Sequence, residues 1–209
     1  ADMEPWPFDP EKAKQILSNE GWNDTDGDGI LDKYIDGQKI SFEFTVLSNS
    51  GNEVRKQIGL ILAENCRKIG IKVDVQQLEW STFLDQIHAQ KFDAMILGWV
   101  FSVLAPDPYQ VFHSSQSISR GSNAVSFNHK RADELVELNR KEFNADRRKD
   151  YMYEFQEILS EEQPYTFLVC SMSHLVYHKR FKGVNRYPFR PGYDLQEWWV
   201  PNSITMYTQ

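Results

Sequence analysis

Apolar positions along the first hundred residues follow two rhythms in turn, one of helical and one of strand period, and the switches between them predict the element order. In Glu4-Pro-Trp-Pro-Phe8 two prolines hold the chain extended, because each fixes its own φ and restricts the residue before it. Asp9 and Pro10 then have the chemistry of a helix start, and Ala13, Ile16 and Leu17 recur at helical spacing until Gly21. Residues 41–47 alternate as a strand. Residues 53–69 read as a helix with Val54, Ile58, Ile61, Leu62 and Cys66 on one face, stopped by Gly70. A second strand is expected at 71–75, a helix at 81–89 capped by Ser81, and a third strand at 93–99. Strand, helix, strand, helix, strand implies right-handed crossovers and a largely parallel sheet. The Pro-rich stretch Ala105-Pro-Asp-Pro-Tyr109 leaves the third strand at its carboxyl end, where open α/β sheets bind ligands.

The remaining residues divide less evenly. Residues 114–122 are rich in serine and predict a flexible loop. Helices follow at 130–142 and 145–162, the second with Tyr151, Phe155, Ile158 and Leu159 on one side, and Pro164 ends the pair. Strands are expected at 165–170 and 174–178. Beyond Phe181, Gly183, Pro188, Pro191 and Pro201 interrupt every period.

With 209 residues, 41% of them hydrophobic, the chain can bury an ordinary core. Aromatic residues make up 13% and include six Trp, enough to line a ligand surface as well as fill a core. A net charge of -7 with scattered basic residues argues against a nucleic-acid footprint. No apolar run approaches the ~20 residues of a membrane span, and nothing near Ala1 resembles a signal peptide. Cys66 and Cys170 are expected as two buried free thiols, in preference to a disulfide.

The acidic stretch at 24–32 has partial calcium-loop chemistry. Asp24, Asp26 and Asp28 take positions one, three and five, Gly29 allows the sharp turn, Ile30 offers a carbonyl, and Asp32 stands at position nine. The closing glutamate is missing, since Ile35 occupies its place with Asp36 next. Two readings stay open, a structural calcium site and an Asx-rich turn. An enzyme would need convergent acids, bases or a nucleophile. His88, His113, His129, His174 and His178 form no ligand motif, Ser114-Ser115 lacks a nucleophile elbow, and no Gly-rich phosphate loop occurs.

Several segments in order carry a family resemblance: Leu78-Glu-Trp-Ser-Thr-Phe-Leu-Asp85, Lys91-Phe-Asp-Ala-Met-Ile-Leu-Gly-Trp99, Pro106-Asp-Pro-Tyr109 and His113-Ser-Ser-Gln116. Phe8-Asp-Pro-Glu-Lys-Ala-Lys14 with Gly21-Trp22, the 24–32 stretch, and Ile158-Leu-Ser-Glu-Glu-Gln-Pro-Tyr165 agree with them. The chain resembles the extracytoplasmic solute-binding proteins of family 5, the peptide- and nickel-type receptors of ABC importers. That resemblance implies an α/β lobe of the type II periplasmic-binding-protein kind, with a mixed, largely parallel sheet flanked by helices. It implies a binding lobe over 1–174 and a tail over 175–209 that returns to an N-terminal lobe. A signal sequence, a lipid-attachment cysteine and that first lobe would belong to a longer parent. The expected function is capture of peptides between two lobes for delivery to a permease outside the cytoplasm, with no nucleic-acid partner and no catalysis.

The resemblance also implies a site. Trp80 and Trp99 read as core residues on their own, and the family pattern makes them cavity walls. Many peptide binders of the family carry an aspartate three residues after Gly-Trp to hold the ligand's amino terminus, and here that residue is Ser102. Asp107 is the nearest acidic replacement, with a local turn as its other role. Phe101, Val103 and Leu104 are apolar in the same loop, and Phe101 and Tyr109 complete the candidate ligand-binding set. Asn123, Ser126 and Asn128 are weaker candidates for neutral hydrogen bonds. Two other readings remain: an oligosaccharide receptor on the same scaffold, and a calcium-stabilised carbohydrate hydrolase or lectin fragment.

Overall fold

The computed structural model describes residues 3–100, 107–170, 172, 174–187 and 191–204. Asp9 accepts a hydrogen bond from Lys12 N at 2.9 Å and starts α1 (Pro10–Asn19), as its sequence predicts. Ahead of it, Trp6 Nε1 donates to Ser160 O at 2.9 Å and ties the extended start to the helix at 145–162.

The strand expected at 41–47 divides in two. Its first residue ends a hairpin of β1 (Asp32–Ile35) and β2 (Gln38–Ser41), and the rest belongs to β3 (Glu43–Asn49). The hairpin turns on Asp36 and Gly37 at φ 51° and 79°. Positive φ at both central positions is what a tight two-residue turn requires, and Asp-Gly supplies it.

β3 pairs in parallel with β4 (Lys72–Leu78) on one side and with β5 (Ala94–Met95) on the other, giving the order β4-β3-β5. The third strand is thus far shorter than the 93–99 expected. Ile96 N still donates to Leu47 O at 2.8 Å, after which the chain leaves the sheet.

α2 (Glu53–Arg67) crosses between β3 and β4, capped by Asn52. Its contact face is rotated from the predicted stripe: Gly59 is buried, whereas Val54 and Ile61 are exposed. A Cβ at Gly59 would lie 2.9 Å from Val75 Cγ1, so only glycine lets the helix sit this near the sheet. α3 (Trp80–His88) begins one residue before the expected start, and its cap is Glu79 instead of Ser81. The Glu79 carboxylate accepts from Ser81 N at 2.8 Å. Phe83 and Ile87 of α3 pack on Leu47 and Ala124 in one core cluster.

A second cluster joins α4 (Tyr109–Phe112), α5 (Lys130–Lys141) and α6 (Ala145–Glu162) around Phe112, Leu135, Val136 and Phe155. The α5 and α6 bounds agree with the periodicity to within a residue. The serine-rich stretch is more ordered than a loop: Ser114–Gln116 form a 3-10 turn, with Ser114 N donating to Asp133 Oδ1 at 2.9 Å.

The strands expected at 165–170 and 174–178 are absent among the described residues, where Phe167, Val169 and Val176 are exposed. Their apolar composition suits a strand, but a strand needs neighbouring backbone to pair with, and among the described residues none forms a ladder with them. Further on, Lys182 and Trp199 form an isolated antiparallel bridge, and Tyr177, Phe181 and Tyr193 surround Trp198 at 5.5–5.9 Å. Both cysteines are free thiols. Burial pushes the Cys66 thiol up, whereas Cys170 is exposed on the unpaired segment, contrary to the expectation of two buried thiols.

Candidate functional site

Parallel pairing brings the carboxyl ends of β3, β4 and β5 to one edge of the sheet. Trp80 opens α3 just past β4, and Trp99 lies a few residues past β5, so the two indoles follow the strands that flank β3. Both are about half exposed, at 46% and 45%. Trp80 rests on Phe83 at 5.9 Å between ring centroids. Trp99 hydrogen-bonds the phenol of Tyr165, whose burial raises its pKa while the Trp99 bond works the other way. Tyr165 in turn packs on Phe112 at 5.1 Å. Each indole therefore has one side fixed on the core and one side open, the arrangement a rigid apolar wall needs.

Phe101 and Ser102, with Val103 and Leu104, lie outside the described residues. Asp107 and Tyr109 are placed in a local cluster. Asp107 Oδ1 accepts from Tyr109 N at 3.1 Å, and its Oδ2 is 3.1 Å from Arg140 Nε. The Arg140 guanidinium lies 4.3 Å from the centre of the Tyr109 ring, which stacks on His113 at 4.2 Å. The Tyr109 hydroxyl is 3.1 Å from Ser115 Oγ. Asn123, a weaker candidate for ligand contact, is fully buried, and its amide bonds the backbone of His113 and Phe127 at 2.8–3.2 Å. It is a structural plug. Ser126 Oγ is taken up by Gln90 Nε2 at 3.0 Å.

Sequence reasoning passed over three residues of this region. Tyr165 holds Trp99, Arg140 holds Asp107, and Arg55 donates from Nη1 to Asn49 Oδ1 at 2.6 Å beside the end of β3. For Arg55 a signal existed: it stands in the first turn of the helix that follows a parallel strand, within reach of the carboxyl edge.

The acidic loop brings three of its predicted ligands together. Asp24, Asp26 and Asp28 each offer a carboxylate oxygen, all within 4.8 Å of one another, and all three are exposed. Asp24 also accepts from Gly27 N and Gly29 N, at 2.7 and 3.0 Å, and Asp28 accepts from Ile30 N at 2.8 Å. Asp32 faces inward. It accepts from Thr25 Oγ1 at 2.6 Å and pairs with Lys39 at 3.3 Å. The Thr25 hydroxyl, then its backbone N–H and Lys39, hold its carboxyl below the usual range. Lys39 also bonds Asp26, so a side-chain cation already neutralises part of the loop.

The fold is an open parallel α/β lobe with two half-exposed indoles near the carboxyl edge of its sheet. Residues 1–121 match the model for bacterial extracellular solute-binding proteins, family 5, middle part, and the chain belongs to that family. It is 40% identical to the oligopeptide-binding protein AppA of Bacillus subtilis over 204 residues, which cover 95% of this chain and 36% of AppA. The solved structure of AppA in complex with a nonapeptide superposes with a TM-score of 0.77 at 35% identity, over 96% of this chain and 39% of that one. The oligopeptide-binding protein of Thermus thermophilus, complexed with a pentapeptide, gives a TM-score of 0.69 at 26% identity, over 78% of this chain and 30% of that one. The chain spans about a third of the length of the relatives it matches.

Proposed function

We propose that this chain is the ligand-binding lobe of the substrate-binding component of an ABC importer. It captures peptides against a second lobe and presents them, outside the cytoplasm, to a permease. One observation carries most of this: in a chain 40% identical to an oligopeptide-binding protein, two half-exposed indoles flank the carboxyl edge of the sheet. Large apolar walls accept many side chains, while polar groups hold a peptide's main chain. Ligand bound between the lobes stabilises the closed form, which is the form handed on.

The tail over 175–209 belongs with the second lobe. Val176 is exposed, and the apolar segment before it lacks strand partners, as expected of chain that pairs elsewhere. The acidic loop takes calcium through Asp24, Asp26, Asp28 and the Ile30 carbonyl. Its role is structural, remote from Trp80 and Trp99.

Native mass spectrometry of the full-length protein, purified gently from its host, tests the function. A ladder of co-purified peptide masses is expected. Hexose-spaced masses would replace the peptide ligand with an oligosaccharide, and an empty protein with hydrolytic turnover would overturn the receptor.

A further inference from the structure

We propose that Arg55 is an anion anchor of the cleft, taking a carboxylate of the captured peptide and biasing this lobe toward acidic ligands. This rests on the peptide-receptor function proposed above, and it assigns a role to a residue that neither the family pattern nor the aromatic walls single out.

The case begins with position. Arg55 is the third residue of α2, and α2 starts four residues after β3 ends, so its side chain works at the carboxyl edge of the sheet. Nη1 donates to Asn49 Oδ1, at the last residue of β3. Nη2 points the group toward the exit of β5, since a Cβ built on Gly98 would lie 3.8 Å from it. The guanidinium therefore bridges the exits of two strands, immediately before Trp99. Gly98 is itself exposed and has no side chain to cover that end of the group.

Charge is the second part. A guanidinium stays protonated at any working pH and carries five N–H donors in a planar fork suited to a carboxylate. Among the described residues no carboxylate stands within 4.0 Å of Arg55, and the Asn49 amide that it bonds is neutral. The acids beside the strand ends and in the first turn of α2 have partners of their own: Glu53 pairs with Lys56 at 3.4 Å, Glu79 caps α3, and Asp107 pairs with Arg140. Among the described residues, the edge beside Trp99 thus keeps a positive charge whose hydrogen-bond partner is the neutral Asn49 amide. The first turn of α2 adds the partial positive charge of a helix N-terminus to the same place.

If Arg55 only pinned Asn49, its loss would lower stability and weaken all ligands alike. As an anchor, it changes which ligands are taken. The test uses the complete two-lobed protein and two random nonapeptide libraries, one unrestricted with free C-termini, the other lacking Asp and Glu and amidated. Wild-type protein is expected to capture the carboxylate-free library about tenfold more weakly, the loss of one charge-assisted contact. Arg55→Gln should erase that difference, and Arg55→Lys should keep most of it. Peptides recovered by wild type should be enriched in Asp and Glu by mass spectrometry, and those recovered by Arg55→Gln should not. Equal capture of the two libraries by wild type overturns the anchor, and this comparison needs no variant. Preference for carboxylates that persists in a folded Arg55→Gln also overturns it. Capture of neither library sinks the peptide function itself, along with the anchor that depends on it.

Discussion

Arg140 Nε stands 3.1 Å from Asp107 Oδ2 while its guanidinium covers the ring of Tyr109. One side chain of α5 thus holds both Asp107, just ahead of α4, and Tyr109, the first residue of α4. Both partners of the ion pair are nearly half exposed, so solvent screens it. Asp107→Asn should cost less than about 1 kcal/mol in urea denaturation. Arg140→Ala should cost somewhat more, because the ring contact is lost with the charge. A larger loss in Asp107→Asn than in Arg140→Ala would show that the carboxylate serves something other than this pair.

Asn123 is the opposite case, a polar side chain with no water to fall back on. Asn123→Ala would strip Phe127 N–H of its acceptor and leave the carbonyls of His113 and Phe127 short of a donor. The expected destabilisation is about 2–3 kcal/mol or more, read as a shift in the denaturation midpoint at unchanged slope. Asn123→Asp, close in shape, should fare badly too, since a carboxylate cannot donate to those carbonyls.

Acid should loosen the α5–α6 pair. Arg131 meets both oxygens of Glu154 at 2.6 and 2.8 Å, and these bonds hold the Glu154 carboxyl below its ordinary 4.5. A lowered folded pKa stabilises the fold above the unfolded value, and the gain is lost as pH falls through the folded one. The melting temperature should therefore drop as pH falls below the ordinary glutamate value of 4.5, and Glu154→Gln should show a shallower drop there. The pair is exposed, so the difference will be small. Identical acid limbs in the two proteins would remove Glu154 as a contributor.

Calcium provides a further check. Weak sites of this kind bind at roughly 10⁻⁴ to 10⁻³ M. At about 10 mM calcium the full-length protein should melt a few degrees higher, by mass action on the folded state. Asp24→Asn should abolish the shift, and magnesium should not reproduce it. An unchanged calcium response in Asp24→Asn would assign the effect to another part of the molecule.

Much of the fold is legible because local signals and packing agree. The apolar face of 145–162 announces α6, and the Asn144 side-chain oxygen caps it by accepting from Asp146 N and Arg147 N. Asp36-Gly37 announces the hairpin just as clearly, but it is hidden ahead of a longer alternating run. The face of α2 is not legible from hydrophobicity, because close approach to the sheet selects Gly59, a residue with no apolar side chain to count. Residues 165–178 mislead for the converse reason: their composition favours a strand, and no described backbone forms a ladder with them. At the site, aromatic positions can be read from the pattern, while the commitments of Asp107, Asp32 and Arg55 depend on partners that periodicity does not reveal. Phe101 and Ser102 keep only their sequence assignment.

Phe83, Leu135 and Phe155 are buried in the two clusters, whereas Trp80 and Trp99 at the strand exits are about half exposed. Under the proposed function, a chain so arranged separates the cost of staying folded from the choice of ligand. Changes at positions such as 49, 55, 98 or 99 would then alter what is bound while Phe83, Leu135 and Phe155 go on filling the same space. Such a scaffold changes its ligand by a handful of surface replacements, without first having to invent a new core.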